Sequence, residues 1–474
     1  MKKTALLLLF LQSVVFVSAQ PDLGILSSNY AGIHSAYLNP SSIADSKLQR
    51  DINVFSASTV FDNTFLFIPR DSLHFLGVKN IINDIIHQTQ FVTHFDPQNP
   101  GRLYNVTLSN EVLGPSFMVN LGDRSAIGLT TAARSYTDIN SITGHLGQNA
   151  FAYLQDQDLW NKTFYDNTAR FNTMGWLEYG LNYATVIYKN ERHEFKGGLS
   201  LKYLQGIAAA YFKNTHLNYN IINTDQFTFT NSSIDYGRTD YNTLINTNGQ
   251  QDLIHGHGLG GSIGFTYLRF KNPPTNGKMI DDDEANYKYK IGVSIIDIGS
   301  INFNKNSAAY HLQADSANYF NWKSGHIYNN IQLDKILSAV FYNNDSTKSF
   351  QANHFNMKMP VALSVQADWN LSGNFFINAT IIKSLRSEKN TGAIRPDVYS
   401  ITPRYEKKWF ELSIPVSLLY YGHWQPRIGF AVRAGYFFIG GDALGGLFKL
   451  NNFEGADFYF GVHFFITKKK SKPR

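Results

Sequence analysis

The stretch VALSVQADWNL, residues 361–371, decides the fold of this chain. Its odd-numbered positions are all apolar, whereas its even-numbered positions carry one alanine and then hydroxyl, amide and carboxyl groups. Successive side chains of a β-strand point to opposite faces of the sheet. The stretch therefore predicts a strand with one face suited to lipid and the other suited to water, as in the wall of a transmembrane β-barrel.

The same alternation recurs along the chain in short runs separated by turn sequences. Aromatic residues make up 15% of the chain, which fits a barrel with aromatic girdles. The runs predict an all-β fold, a transmembrane antiparallel β-barrel of about 14 strands, because bacterial barrels have even strand numbers. They cover residues 51–68, 103–109, 113–121, 127–134, 177–183, 195–203, 259–267, 287–295, 361–371, 375–381, 399–405, 410–418, 428–436 and 458–466.

Three long segments, residues 135–175, 213–256 and 306–359, are rich in Asn, Asp, Thr and Tyr, and they are interpreted as long loops. If the C-terminus faces the periplasm and residues 440–455 form one connection, strand parity places these loops on the periplasmic side. Bacterial barrels normally have short turns there. Either a strand near residues 440–452 is missing from the count, or the protein has unusual periplasmic or lumen-filling insertions.

The N-terminus predicts export. Lys2 and Lys3 precede the apolar run Ala5–Val17, and Val17-Ser18-Ala19 is a typical cleavage site, so residues 1–19 are interpreted as a signal peptide cleaved after Ala19. The chain contains no cysteine, which excludes disulfides, thiolate metal sites and a lipid-anchored N-terminus. The predicted organisation is a plug segment at residues 20–50, an outer-membrane barrel at residues 51–467 and a basic tail at residues 468–474.

The net charge of +6 is concentrated at the two ends of the chain. Lys2 and Lys3 leave with the signal peptide, and the tail contributes five more basic residues. We interpret the tail as a solvated end or a contact with anionic lipid, and not as a nucleic-acid site. The expected partners are outer-membrane lipid, other envelope proteins and a small hydrophobic ligand, with no nucleic acid.

Charged side chains alternate with the apolar ones and are predicted to face the lumen. Both signs are present, so the lumen is either a wet channel or an internally ion-paired, plugged one, since a buried charge without partner or water is costly. The predicted lumen-facing charged residues are Arg134, Glu178, Lys196, Lys202, Lys288, Lys290, Asp368, Arg404, Glu406, Glu411, Arg427, Arg433 and His463.

Patterns that suggest enzymes or metal sites are weak here. Residues 260–264 match G-x-S-x-G, but this motif needs a strand-to-helix turn, and the alternation predicts an uninterrupted strand. The acidic run Asp281–Glu284 lacks the spacing of a calcium loop, and His94-Phe95-Asp96 lacks metal-ligand spacing. The sequence therefore predicts a protein that is not an enzyme and that has no cofactor and no catalytic or metal site.

Two stretches resemble known families. The segment AYLNPSSIA, residues 36–44, resembles the N-terminal Asn-Pro box of FadL-like fatty-acid transporters and PorV-like barrels of type IX secretion. The C-terminal part, from Pro403 to Gly461, is similar to an uncharacterised outer-membrane barrel family of Bacteroidota. The first resemblance implies a 14-stranded barrel with an N-terminal lumen plug, in which Asn39, Pro40 and Ser41 form the plug motif.

Two functions follow from these observations. The main hypothesis is a non-enzymatic structural or secretion-associated scaffold that binds partners through its long loops. The alternative is FadL-like passive transport of small hydrophobic molecules across the outer membrane.

Overall fold

A computed structural model describes residues 22–72, 92–96, 98–99, 101–151, 156–240, 253–271, 286–319, 330–386 and 390–468. The predicted signal peptide, the acidic run Asp281–Glu284 and the tail after Lys468 lie outside these residues. The described helices are short, at Leu23–Leu26, Gly144–Phe151 and Asn330–Phe341, with 3₁₀ turns at Gly32–Tyr37, Pro40–Ile43, Arg70–Ser72 and Gln157–Leu159. In the described ranges, no helix is both long enough and apolar enough to span a bilayer.

Strand segments dominate the described chain. In order they are β1 (Leu48–Asn63), β2 (Leu66–Phe67), β3 (Val92–Thr93), β4 (Leu103–Leu113), β5 (Ser116–Leu121), β6 (Ser125–Thr143), β7 (Thr163–Tyr165), β8 (Arg170–Lys189), β9 (His193–Asn223), β10 (Gln226–Thr239), β11 (Gly256–Phe270), β12 (Tyr287–Phe303), β13 (Ser307–Tyr319), β14 (Phe350–Ala352), β15 (Phe355–Lys358), β16 (Ala362–Ser372), β17 (Phe375–Ser384), β18 (Asp397–Glu406), β19 (Phe410–Ser413), β20 (Val416–Tyr420), β21 (Trp424–Ile428), β22 (Phe430–Ala434), β23 (Phe437–Gly441) and β24 (Gly455–Thr467).

One antiparallel sheet closes on itself to form the barrel. β1 pairs with β24 on one side and with β4 and β5 on the other, so the first and last strands complete the ring. Several segments are successive parts of one strand, namely β4 with β5, β15 with β16, β19 with β20, and β21 with β22. The result is a closed barrel of 14 strands, and the predicted fold class is confirmed.

The predicted strand count is right, although two of its assignments are wrong and cancel each other. Residues 103–109 and 113–121 were predicted as separate strands, but β4 and β5 form one strand that is interrupted at Gly114-Pro115. A proline lacks the backbone donor of a sheet ladder, so this interruption resembles a turn in sequence. Conversely, residues 428–436 contain a turn at Gly435 (φ +65°), and β23 follows it as an additional strand.

The additional strand β23 explains the parity problem. With it, residues 135–175, 213–256 and 306–359 all contribute connections at the end of the barrel opposite to the chain termini. The terminal end is marked by Lys468, whose N–H donates to the carbonyl of Lys47 at 3.0 Å. The tight turns at residues 122–124, 190–192, 373–374, 407–409 and 435–436 lie at this terminal end, as expected for a periplasmic face, whereas the turn at residues 421–423 lies at the other end. The opposite end is called the loop end below.

The outer face of the barrel is apolar. In β16, Trp369 and Leu371 are 48% and 60% exposed, whereas Ser364 and Asp368 on the other face are buried. Large apolar side chains are exposed in the same alternating way on neighbouring strands, including Leu199 and Leu201 of β9. An exposed apolar surface of this extent needs lipid around it, so the protein is a transmembrane barrel.

The loop end carries a rim extension, formed by β7, β10, β13, β14 and the helix Asn330–Phe341. β10 pairs with the far half of β9 and with β13, which pairs in turn with β14. An apolar cluster that includes Leu217, Ile234 and Phe341 holds the helix against these strands. The predicted long loops at residues 213–256 and 306–359 are thus partly continued sheet, because their aromatic residues pack on one another.

Candidate functional site

The N-terminal segment, residues 22–47, lies inside the barrel. The backbone N–H of Leu23 donates to Asp442 at 2.7 Å, close to β23, while Asn29 donates to the hydroxyl of Tyr287 at 3.0 Å in β12. The backbone N–H of Ile33 donates to Asp51 of β1 at 2.8 Å. The segment therefore contacts inward-facing side chains of strands on several sides of the ring.

The predicted motif Asn39-Pro40-Ser41 fits closely against the barrel wall. The Asn39 side chain accepts hydrogen bonds from the N–H of Ser41 at 3.0 Å and from its hydroxyl at 2.7 Å, which caps the 3₁₀ turn Pro40–Ile43. The Asn39 amide donates to Gln366 Oε1 at 3.0 Å. On the wall, a Cβ at Gly198 would lie within 2.6 Å of three backbone atoms of Pro40 and Ser41.

Replacing Asn39 with alanine should loosen the N-terminal segment while the barrel stays folded. The substitution removes the cap and leaves buried partners on the wall unpaired, at a cost of about 1–3 kcal/mol. Hydrogen exchange of residues 22–47 should become faster than in the wild type. The matched control is Ser42→Ala, because the Ser42 hydroxyl makes no hydrogen bond within the described residues; equal exchange in both variants would contradict the expectation.

A first ion-pair network joins the N-terminal segment to the strands near β18. Arg404 Nε donates to Glu406 at 3.0 Å, and its Nη1 lies 3.3 Å from Asp368. Arg433 Nε pairs with Glu411 at 3.2 Å. The N-terminal segment adds the hydroxyl of Ser28, which donates to Glu411 at 2.7 Å. All these charges are fully or almost fully buried, so each depends on its partners.

A second network lies at mid-height of the lumen around Asp297. Its carboxylate accepts from Arg134 at 3.0 Å, from Lys202 at 3.0 Å and from Arg395 at 2.7 Å. Glu178 pairs with Arg134 at 3.1 Å and with Lys202 at 2.9 Å. Glu111 lies 3.0 Å from Arg134 Nε, so three acids hold three cations from the wall and from the connection after β17.

Asp297 and Arg395 were not predicted as lumen residues. By simple alternation with Ile291 and Val293, Asp297 would face the lipid. It adopts a positive φ of +54°, and Gly299 follows at +141°, so a local irregularity of β12 turns its carboxylate inward. An aspartate among outward apolar positions, followed two residues later by glycine, is the sequence signal for this feature.

The other predicted charges have different surroundings. Lys196 donates to the carbonyl of Ala44 at 2.7 Å, and Lys290 donates to Asn29 at 3.1 Å. Arg427 pairs with Asp62, and the ring of His463 lies 2.8 Å from a carboxylate oxygen of Asp51.

Lys288 departs from the predicted inward pattern because it is exposed. The register shifts at the start of β12, where Arg269 pairs with Tyr289 but Phe270 pairs with Tyr287. Lys288 is therefore the additional residue of a bulge, and the neighbouring Tyr287 is buried against Asp368.

His34 of the N-terminal segment is a buried neutral histidine. Burial, together with the neighbouring ring of His463, lowers the pKa of His34 to about 4. Its Nε2 lies 3.1 Å from Asn53 Oδ1 on β1. The ring therefore contacts the wall without adding a charge at neutral pH.

The loop-end half of the lumen is lined by an apolar cluster. The cluster lies next to the Asp297 network, on its loop-end side. Tyr136 is two positions from Arg134, Trp176 is two positions from Glu178, and Leu204 is two positions from Lys202, in each case on the same strand and the same face. Phe303 and Met357 complete this inner apolar cluster. All five are buried.

Residues 390–395, here called the inward loop, cover the inner apolar cluster. Ala393 packs against the cluster, and the N–H of Ile394 donates to Asp138 at 2.9 Å. The hydroxyl of Tyr136 donates to the carbonyl of Ile394 at 3.1 Å. Together with the ion pair between Arg395 and Asp297, these bonds hold the loop inside the barrel.

Two small cavities lie among the described residues of the lumen. A cavity of about 40 Å³ lies between the N-terminal segment and the inward loop, beside Tyr37, Arg134 and Arg395. Another, of about 100 Å³, lies beside Lys196 and Asp368. Polar cavities of this size hold a few water molecules.

The residues behind the enzyme-like pattern are engaged in structure. Ser262 lies within β11, and its hydroxyl accepts a hydrogen bond from the N–H of Asp297 at 3.2 Å. His255 contacts the carbonyl of Ile207, and His257 contacts the hydroxyl of Tyr203 at 2.8 Å. This is not the geometry of a nucleophile elbow. Within the described part of the chain, no group of three or more His, Cys, Asp or Glu residues is arranged to hold a metal ion.

These features define a transmembrane β-barrel whose lumen is filled by its own N-terminal segment and by an inward loop. The chain belongs to the family described as "Family of unknown function (DUF5723)", whose profile matches residues 40–442. No curated protein matches it in sequence.

Among solved structures, the chain is similar to the Pseudomonas putida toluene transporter TodX, with 8% identity, a TM-score of 0.38 and 95% of each chain covered. It is also similar to the Ralstonia pickettii toluene transporter TbuX, with 9% identity, a TM-score of 0.37 and coverage of 91% of this chain and 92% of that one. A Pseudomonas aeruginosa FadL homologue has 7% identity and a TM-score of 0.32, with coverage of 95% and 99%. Toluene transport is stated in the names of TodX and TbuX, and it is a property of those proteins.

Proposed function

We propose that this protein is an outer-membrane barrel for passive uptake of a small apolar molecule, and that the described state is closed. The observation that carries this proposal is the inner apolar cluster around Trp176, Phe303 and Met357. Elsewhere the inward faces of the same strands carry charged and amide groups. Apolar side chains grouped inside a water-facing lumen are suited to receive an apolar ligand.

Two internal elements close the lumen in this proposal. The inward loop covers the inner apolar cluster from the loop end, and the N-terminal segment serves as a plug from the terminal end. Both touch the Asp297 network, since Arg395 comes from the loop and the ring of Tyr37 lies 5.0 Å from Lys202 Nζ. Displacing the inward loop would expose the inner apolar cluster to the outside.

A second candidate function is a docking scaffold, and the rim extension favours it. The extension continues β9 beyond the barrel and has its own apolar cluster, which uptake does not require. Association with type IX secretion or with PorV-like barrels remains a prediction from residues 36–44. Co-purified envelope proteins without uptake would favour this second function.

Uptake is tested by weakening the inward loop. Arg395→Gln removes a charge-assisted hydrogen bond worth roughly 1.5–3 kcal/mol, so the open population should rise about tenfold or more. Whole cells that express this variant should take up radiolabelled toluene, the probe, faster than cells with the wild type. Met357→Lys puts a charge into the inner apolar cluster. Added to Arg395→Gln, it should abolish the gain in uptake.

Arg70→Gln is the control, because Arg70 is an exposed cation outside the lumen. Equal uptake by cells with the wild type, Arg395→Gln and the double variant, all folded in the membrane, would refute transport of such molecules.

A further inference from the structure

The barrel exterior carries a cation-containing aromatic cluster at the terminal end, on β9 and β11. The ring of His193 stacks on Tyr267 with an interplanar angle of 25°, and its Nδ1 lies 2.8 Å from the Tyr267 hydroxyl. Arg269 Nη1 lies 3.0 Å from His193 Nε2. We call Arg269, His193 and Tyr267 the rim triad.

Hydrogen-bond chemistry fixes the charge of the rim triad. A guanidinium only donates, so His193 Nε2 must accept from Arg269, and the ring proton on Nδ1 is then donated to Tyr267. The histidine in this arrangement is neutral. Within the described residues, no carboxylate lies at ion-pair distance from Arg269, so the rim triad has a net positive charge.

The position of the rim triad relative to the membrane follows from the same two strands. Tyr203 and His257 form a second stacked pair further along β9 and β11, at an interplanar angle of 18°. From His193 to Tyr203, ten residues at about 3.3 Å each and a tilt of about 40° rise ~25 Å along the membrane normal. This is the height of the apolar band of such barrels. The two pairs therefore mark the two membrane interfaces.

Aromatic residues surround the rim triad on the outer face. Phe195 and Tyr289 lie next to Tyr267, with ring centroids 4.8 Å and 6.1 Å away. On another side of the same end, Lys408 Nζ lies 5.5 Å from the ring of Trp409. Aromatic rings at this height belong to an interfacial girdle. Basic groups among them are therefore held at the level of the lipid headgroups.

We propose that the rim triad binds the phosphate group of an anionic phospholipid of the inner leaflet. Arg269 is suited to the role because a planar guanidinium donates two parallel hydrogen bonds to phosphate oxygens. The Tyr267 hydroxyl lies beside it, and Phe195 faces the acyl chains. Five tight turns and the end of the last strand at Thr467 lie at this end of the barrel, so we take it as the periplasmic one, whose leaflet is made of phospholipid.

Native mass spectrometry of the full-length protein tests this site. The protein is extracted from vesicles of phosphatidylglycerol and phosphatidylcholine, and the retained lipids are counted. The wild type should retain phosphatidylglycerol in preference. Arg269→Gln should lower this preference roughly fivefold, the effect expected from one interfacial cation. Arg269→Lys, which keeps the charge without the planar fork, should lie between the two.

The matched control is Lys383→Gln. Lys383 is an exposed cation at the loop end that already pairs with Asp397 at 2.6 Å, so phosphatidylglycerol retention should stay at the wild-type level. Inorganic phosphate added to the wild type should not displace the lipid. Heat-modifiable migration in gels confirms that each variant is folded.

Equal retention by wild type and folded Arg269→Gln would overturn the proposal, and so would displacement by inorganic phosphate or an equal loss in Lys383→Gln. Preference for lipopolysaccharide over phosphatidylglycerol would also overturn it. None of these results depends on whether the barrel transports anything.

Discussion

Replacing Arg404 with methionine is expected to lower the free energy of unfolding by about 3–5 kcal/mol. Arg404 is 2% exposed, and its guanidinium contacts Asp368 and Glu406, with Glu411 at 3.7 Å. Methionine keeps the apolar stem that packs over the ring of Phe376 but removes the charge. Three buried carboxylates then share fewer cations, and an incompletely compensated buried charge is strongly destabilising.

The measurement is urea unfolding of the barrel in detergent micelles, followed by tryptophan fluorescence. The control is Lys383→Met, which breaks the exposed pair with Asp397 and should cost no more than about 1 kcal/mol. Adding Glu406→Gln to Arg404→Met removes one of the excess carboxylates and should recover part of the loss. A similar small loss in both single variants would mean that the Arg404 network does not stabilise the barrel.

The closed barrel was predictable because its signal is local and repeated. Each strand must present an apolar face to lipid and a polar face inward, so residues such as Trp369 and Asp368 report the fold without knowledge of their neighbours. Strand boundaries were less predictable. Gly114-Pro115 interrupts a strand and Gly435 ends one, and glycine and proline occur in both situations.

The content of the lumen was predictable only in part. Inward charges such as Arg134 and Glu178 follow from alternation, but their partners come from distant parts of the chain. Asp297 reaches the lumen through a positive φ, and Arg395 reaches it through a connection that turns into the barrel. Neither residue follows the two-residue alternation of a strand, so the alternation does not predict that either residue faces the lumen.

Gly198→Val is expected to displace the N-terminal segment from the barrel wall. A Cβ at this position would lie within 2.6 Å of backbone atoms of Pro40 and Ser41. The contact lies between the backbone of the barrel wall and the backbone of the N-terminal segment. Backbone cannot yield as a flexible side chain would, so either the wall or the segment must move. The wall is fixed by its ladder with β8 and β11, and the segment is held mainly by side-chain contacts. The segment should therefore give way.

Planar-bilayer recording should detect this displacement as a large rise in single-channel conductance, because the polar lumen would fill with water once the segment leaves it. The wild type should conduct little. Gly175→Val on β8 is the matched control, since a Cβ there would meet its nearest atom only at 3.9 Å, and its conductance should match the wild type. Deleting residues 22–46 should reproduce the Gly198→Val conductance, and adding Gly198→Val to the deletion should change nothing further. A folded Gly198→Val barrel that conducts no more than the wild type would contradict the expectation, because the inward loop alone would then be enough to close the lumen.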